Sequence, residues 1–181
     1  MPARLLSTWP EAEAEAAARA LVLAGLYVAE AEDAPGEADD AAEDAGLRRA
    51  LADVEKGTWT QALVVAEIAR RALDARGEWP EWQTRAFTAP DEIAKATAAL
   101  RAQGADKTER RAWRAAVGHI ARTVGRAAGE HDALLDDHKK PGLFARLLGA
   151  GRAAAPSAAH VSPGEAAAIA RLLEAVGSED A

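Results

Sequence analysis

The residues of this sequence best suited to chemistry form two short clusters rich in carboxylates. The first cluster consists of Glu30, Glu32, Asp33, Glu37, Asp39 and Asp40, of which the first four are the candidate metal ligands. Several carboxylate oxygens converging from one loop are the ligands that hard divalent cations such as Ca²⁺ and Mg²⁺ prefer. The spacing lacks the ligand order of an EF-hand loop, and acids also stabilise the N-terminus of a following helix. A divalent-cation site and a set of helix-end acids therefore both stay open here.

The second cluster combines histidine with carboxylates within the segment 130–138. It consists of Glu130, His131, Asp136 and His138. Imidazole titrates near neutral pH, and beside carboxylates it can ligate a metal or transfer protons. The two histidines are not spaced as a helical i, i+4 ligand pair. A metal site, an acid–base enzyme site and a solvated polar loop are the three interpretations of this segment.

Other catalytic arrangements are missing from the sequence. There is no cysteine, which excludes disulfides, thiolate zinc sites and thiol catalysis. The four serines are predicted to lie at helix caps, in loops or in the tail, and none sits in a Gly-x-Ser-x-Gly turn. We therefore favour a non-enzymatic interaction or sensing module, with an enzyme on the 130–138 loop as the alternative.

Trp79 and Trp82 are the candidates for partner binding. They lie in the connector Glu78-Trp79-Pro80-Glu81-Trp82, between two segments predicted to be helical. Tryptophan is enriched among the residues that dominate protein interfaces, so the pair is a possible partner-binding patch. Their use as core anchors is the competing interpretation.

The elements that must position these residues are predicted to be helices throughout. The chain is 49% hydrophobic but only 4% aromatic, and much of the hydrophobic fraction is alanine, the strongest helix former. Apolar residues recur at helical spacing, and no segment alternates as a strand would. The sequence predicts one all-α domain over 1–181, a compact bundle of six to seven helices. Two central helices, near 20–33 and 108–129, are each expected to lead into one of the acidic clusters.

Glycine and serine mark two features of this bundle. Gly118 and Gly125 lie seven residues apart in the second central helix, which predicts the close approach of neighbouring helices. Ser162-Pro163-Gly164-Glu165 matches a capping box and predicts the start of the last helix.

The two halves of the chain show a weak internal likeness. The possible pseudo-repeats cover 8–87 and 88–177, and a small, polar segment at 149–161 is predicted to be a flexible loop.

Three segments carry a resemblance to a known family. They are Val28-Ala29-Glu30-Ala31-Glu32-Asp33, the run from Ile120 to Glu130, and Val161-Ser162-Pro163-Gly164-Glu165. In this respect the chain resembles the TerB-like family of helical domains in tellurite-resistance and stress-response proteins. The resemblance implies a helical fold and a stress-response role. The family commonly has an Ala-Asp-Gly step leading into metal-ligating acids, where this chain has Glu32-Asp33-Ala34-Pro35-Gly36-Glu37.

The distribution of charge bears on partners. The net charge is −7, which argues against general nucleic-acid binding because that requires a basic face. Residues 1–55 contain 13 acids and 4 bases, whereas residues 110–152 contain 4 acids and 9 bases. We expect these regions to form solvated helix faces and complementary intramolecular surfaces, and the alternative is a basic site for an anionic ligand. A protein partner or a second copy of the chain is the expected kind of binding partner.

No segment of the sequence is suited to crossing a bilayer. The strongest apolar run, Ala20 to Ala29, is about half the length that a transmembrane helix needs. The N-terminal residues lack the apolar core of a signal peptide. The expected location is the cytoplasm.

Overall fold

The described part of the chain forms a bundle of seven α-helices. The computed structural model describes residues 6–31, 37–57, 62–136 and 161–177, and the side chains of all of these except 37–40 and 128–136. The helices are α1 (Glu11–Ala29), α2 (Glu37–Glu55), α3 (Leu63–Asp74), α4 (Trp79–Gln83), α5 (Ala89–Ala102), α6 (Lys107–Asp136) and α7 (Pro163–Val176). Short 3-10 turns span Leu6–Thr8, Arg76–Glu78 and Ala86–Thr88. The described ranges contain no strand, and the predicted all-α bundle is confirmed.

Helix α1 is the centre of the fold, because it contacts all six other helices. Its side chains from Ala20 to Ala24 are at most 1% exposed, so the helix is buried on every side along this stretch. Alanines at positions such as 17, 20 and 24 allow neighbouring helices to approach closely, while leucine and valine supply most of the apolar surface. A helix with no polar face in its middle can be stable only in such an interior position.

Helix α6 packs against α1, α2 and α7, and its glycines lie at the contacts. A Cβ atom at Gly125 would lie 3.1 Å from Glu165 Oε1 and 3.3 Å from Val28 Cγ1. One at Gly118 would lie 3.3 Å from Leu173 Cδ2. The predicted close approach of neighbouring helices is therefore confirmed at both glycines.

Paired side-chain caps define the starts of the two helices on which the C-terminal half is built. In α7, Ser162 Oγ accepts a hydrogen bond from Glu165 N at 3.1 Å, and Glu165 Oε2 accepts one from Ser162 N at 2.6 Å. Asp106 and Glu109 form the same reciprocal pair at the start of α6. The capping box of α7 is confirmed. At the start of α1, by contrast, Pro10 occupies the N-cap position and follows a 3-10 turn over Leu6–Thr8.

Helix α6 also continues beyond its predicted end. The sequence predicted a polar loop from 129 onward, but the backbone is helical to Asp136. Ala127, Ala128, Ala133, Leu134 and Leu135 are strong helix formers, and they outweigh the single Gly129 in this stretch. Residues 149–160, including most of the predicted flexible loop, lie outside the described ranges, and the pseudo-repeat stays a prediction.

None of the described helices is long and apolar enough to cross a membrane. This agrees with the short apolar run in the sequence.

A partly buried ion-pair network joins α1 to α5. The Glu92 carboxylate, buried at 7% exposure, lies 3.1 Å from Arg19 Nη2 and 3.0 Å from Lys95 Nζ. Burial alone would raise the pKa of Glu92 and is the largest single influence. The hydrogen bonds and charges of Lys95 and Arg19 together outweigh it, so the pKa of Glu92 lies below its ordinary value.

The lowered pKa of Glu92 predicts a pH-dependent contribution to stability. When the folded-state pKa is below the unfolded one, the contribution is present above the unfolded value, about 4.3, and is lost as pH falls through the folded value. Glu92→Gln should cost about 1–2 kcal/mol of unfolding free energy at neutral pH. Urea denaturation of both proteins as a function of pH should show this difference shrinking on acidification. The exposed Glu81→Gln is the matched control, and a pH-independent difference for Glu92→Gln would contradict the assignment.

The start of α7 predicts a second stability effect. A Cβ atom at Gly164 would lie 2.3 Å from the backbone oxygen of Ala31, which follows α1, and a backbone atom cannot rotate away. Gly164→Ala should therefore destabilise the fold by about 1–3 kcal/mol. Gly77→Ala is the control, because a Cβ there meets nothing within 4 Å. Thermal unfolding followed by circular dichroism compares the two, and an unchanged midpoint for Gly164→Ala would contradict this packing.

Candidate functional site

The first acidic cluster is only partly within the described residues. Glu30 follows the last residue of α1 and is largely exposed. Neighbouring residues still shield its carboxyl group in part from water, and this desolvation raises the pKa of the group. Glu37 is the first residue of α2, and only its backbone is described. Glu32 and Asp33 lie outside the described ranges, so the divalent-cation site stays a prediction.

The second cluster does not form the loop that the sequence predicted. Glu130, His131 and Asp136 belong to the backbone of α6, so the loop assignment is wrong for 130–136, while His138 lies outside the described residues. Among the side chains that are described, no three histidines or carboxylates come together in a way that could hold a metal ion. The metal and enzyme interpretations of this cluster stay predictions.

Trp79 and Trp82 are buried against the bundle, at 6% and 4% exposure. The Trp79 indole Nε1 donates a hydrogen bond to the backbone oxygen of Ala72 at 3.0 Å, which fixes α4 against α3. Both rings therefore serve as core anchors. Their role in partner binding is untested, but the Trp79 ring also forms one wall of a cavity.

This cavity, of about 380 Å³, lies between α1, α2, α4 and α6. Its volume is within the range of small-ligand sites, roughly 300–1,000 Å³. The walls are mostly apolar and are formed by Gly25, Leu26, Ala29, Leu47, Trp79 and Val124. Pro80 completes the lining on the α4 side. The interior therefore suits an aliphatic or aromatic group.

Polar side chains line the cavity together with these apolar walls. Glu43 and Asp44 come from α2, Arg76 from the turn before α4, and Gln83 from the end of α4. Asp44 Oδ2 lies 2.8 Å from Arg48 Nη2 and 3.6 Å from Arg76 Nη2. These pairs are well exposed to solvent and contribute little to stability. The polar lining therefore offers two carboxylates, one guanidinium and one amide to a ligand.

The close packing of three helices closes one end of the cavity. A Cβ atom at Gly25 would lie 2.7 Å from Leu47 Cδ1 and 3.2 Å from Val124 Cγ2. Glycine at this position lets α2 and α6 meet α1 without a gap. The turn at Arg76–Glu78 leads into α4, whose residues Trp79, Pro80 and Gln83 line the cavity.

Two carboxylates line the cavity on the α2 side. They are Glu43 and Asp44, the last acids of a sequence segment, 37–44, that contains five acids and no base. Further along α2, Asp53 Oδ2 lies 3.5 Å from His119 Nε2 on α6. Negative charge beside a low-dielectric cavity attracts cations and repels anions.

Of the residues that line this cavity, the sequence alone indicates one and leaves the others undetected. Trp79 was singled out as a possible binding residue, and it lines the cavity. Leu26, Leu47 and Val124 belong to the apolar residues whose helical spacing predicts the bundle, but this spacing does not reveal where neighbouring helices leave a space between them. Glu43 and Asp44 were overlooked in favour of the acids nearer the turn. A glycine in the fully apolar part of α1, Gly25, was the available signal.

The chain matches no protein-family model, no curated protein and no solved structure. The resemblance to the TerB-like family therefore stays a prediction.

Proposed function

We propose that this chain is a non-enzymatic interaction module. It binds a segment of a protein partner that carries an apolar anchor residue and a basic residue, and the anchor enters the cavity beside Trp79. The observation that carries the proposal is the combination of apolar walls with the acidic end of α2 at one site. An apolar side chain of the partner fills the cavity, and a neighbouring lysine or arginine lies against Glu43 and Asp44.

The apolar walls support the choice of anchor. Side chains that bury fully in a pocket at the centre of an interface supply most of its binding free energy. Leu26, Leu47 and Val124 offer methyl groups, and Trp79 offers a ring already fixed by its hydrogen bond to Ala72. A wall that is fixed before binding loses little side-chain entropy when the partner arrives.

The charge of α2 supports the choice of a basic partner. Opposite charges at the edge of an interface accelerate encounter and disfavour partners of the wrong sign. Two carboxylates, Glu43 and Asp44, and one guanidinium, Arg76, are the charged groups that line the cavity, so its lining carries one net negative charge. An acidic segment would meet repulsion there.

This proposal follows the interaction-module interpretation of the sequence and of the TerB-like resemblance. A stress-response role and a cytoplasmic location remain parts of the proposal. A chain without cysteine suits a reducing compartment without requiring one. Cation binding by the two acidic clusters is a separate prediction, which the cavity neither needs nor opposes.

Small apolar probes of different charge test the chemistry of the cavity. We expect n-hexylammonium to bind more tightly than n-hexanol, and n-hexanol more tightly than n-hexanoate, because only the first combines an apolar chain with a positive charge. Incorporating 5-fluorotryptophan allows ¹⁹F NMR to follow each indole, with the Trp79 signal assigned by Trp79→Phe. The Trp79 signal should shift, whereas that of Trp113, which is fully buried between α5 and α6 and does not line the cavity, should not. Tightest binding of hexanoate would contradict the proposal.

Matched variants separate the contributions of shape and charge. Ala29→Leu should narrow the cavity and weaken hexylammonium binding, while Ala98→Leu on the exposed face of α5 should leave it unchanged. Glu43→Gln combined with Asp44→Asn should reduce hexylammonium to the affinity of hexanol. The control with the same charge change is Asp74→Asn combined with Glu55→Gln, because neither residue lines the cavity or the clefts beside Phe87.

Peptides test the extension from a small probe to a protein segment. An amphipathic peptide of lysine and leucine should bind and shift the Trp79 signal, and it should bind more weakly to Ala29→Leu. A peptide of the same length with glutamate in place of lysine should not bind. Equal binding of both peptides would contradict the proposed role of the acidic α2 wall.

A further inference from the structure

A second surface, which we call the Phe87 patch, lies on a different side of α1 from the cavity. It consists of Tyr27 near the end of α1, Phe87 just before α5, Asp91 in the first turn of α5, and Arg171 and Glu174 on α7. Phe87 is 72% exposed and lies in the 3-10 turn that precedes α5. Of the described large apolar side chains only Phe87 and Leu63 are so exposed, and Leu63 lines none of the clefts beside Phe87.

The patch combines a projecting ring with concave surface. Two clefts, of about 300 and 480 Å³, adjoin each other, and Tyr27, Phe87 and Arg171 line both of them. The larger cleft runs between α5 and α7, with Ala94 and Ala175 on its walls. Small side chains on these walls leave room for an aromatic ring, but the chain's own Phe87 points largely into solvent.

The patch also carries exposed charges of both signs. Arg171 Nη1 lies 3.4 Å from the Tyr27 hydroxyl, to which it donates a hydrogen bond. Across the described residues, no ion pair joins Arg171 to Asp91 or Glu174, although all three line the larger cleft. A surface with unpaired charges of opposite sign is electrostatically complementary to a copy of itself.

We infer that the Phe87 patch binds a second copy of this chain about a two-fold axis, with Phe87 of each copy seated in the larger cleft of the other. In such an interface the same surface is used twice, so it must be complementary to itself in shape and charge. Phe87 and Asp91 are four residues apart. When Phe87 enters the cleft, Asp91 is therefore brought over α7 of the partner copy, where it meets Arg171. Glu174 remains at the edge of the interface.

Sedimentation equilibrium of the full chain over a wide concentration range tests this inference. We expect a monomer–dimer equilibrium that Phe87→Ala weakens about tenfold or more, as for other buried interface aromatics. Leu63→Ala, which removes another exposed hydrophobe, is the matched control and should leave the equilibrium unchanged. Because Phe87 is exposed in the single chain, its loss should not alter the thermal unfolding of the monomer. A monomer at every concentration, or a dimer indifferent to Phe87→Ala, would overturn the inference.

A charge reversal tests the geometry of the interface. Arg171→Glu should weaken the dimer, and Arg171→Glu combined with Asp91→Arg should restore it, because the reversed pair attracts again. Failure of the double variant to recover would contradict the pairing of Arg171 with Asp91.

Spin labelling provides an independent measurement. The natural chain has no cysteine, so Ala98→Cys on α5 gives a single attachment site. Pulsed electron–electron double resonance should then yield one distance between the labels of two copies, and this distance should disappear in Phe87→Ala. A signal that shows only the background decay of separate molecules would contradict the dimer. Hexylammonium binding beside Trp79 should be the same in Phe87→Ala, so failure of the dimer inference and failure of the proposed function are distinguishable.

Discussion

The close approach of helices around α1 is the constraint on which the rest of the structure depends. A helix buried on all sides has to be surrounded, and its alanines together with Gly25 set how near the surrounding helices come. At Gly25 there is no room for a methyl group between α1, Leu47 of α2 and Val124 of α6. Gly25, Leu47 and Val124, which make this contact, also line the cavity beside Trp79. The close packing of α1, α2 and α6 therefore forms part of the wall of the candidate site.

Local patterns in the sequence predicted the elements well and their mutual arrangement poorly. The capping box at Ser162 and Glu165 forms as expected, because it involves residues only three positions apart. Gly118 and Gly125 indicated that some helix comes close, but not that α7 and α1 supply Leu173, Glu165 and Val28. The predicted end of α6 was wrong, since the polarity of 130–136 was given more weight than its helix propensity.

The candidate site shows the same division. The sequence predicts sites at acids and histidines, because these residue types can bind metals or transfer protons. The cavity is instead lined mainly by ordinary aliphatic residues from α1, α2 and α6, and a ligand would recognise it by shape. Trp79 was identified for its residue type and location in a connector, yet its contact with Ala72 depends on how α4 folds back onto α3. A cavity between helices depends on contacts between residues that are distant in the sequence. The periodicity of apolar residues along each helix does not specify these contacts.

The proposed function requires the space beside Trp79 to receive an apolar group that bears a positive charge. Intermolecular nuclear Overhauser effects between n-hexylammonium and selectively labelled methyl groups measure where such a group binds. We expect contacts from the alkyl chain to the methyl groups of Leu26, Leu47 and Val124, which line this cavity on three different helices. Contacts confined to the alanine methyl groups beside Phe87, or contacts to no methyl group at all, would contradict it.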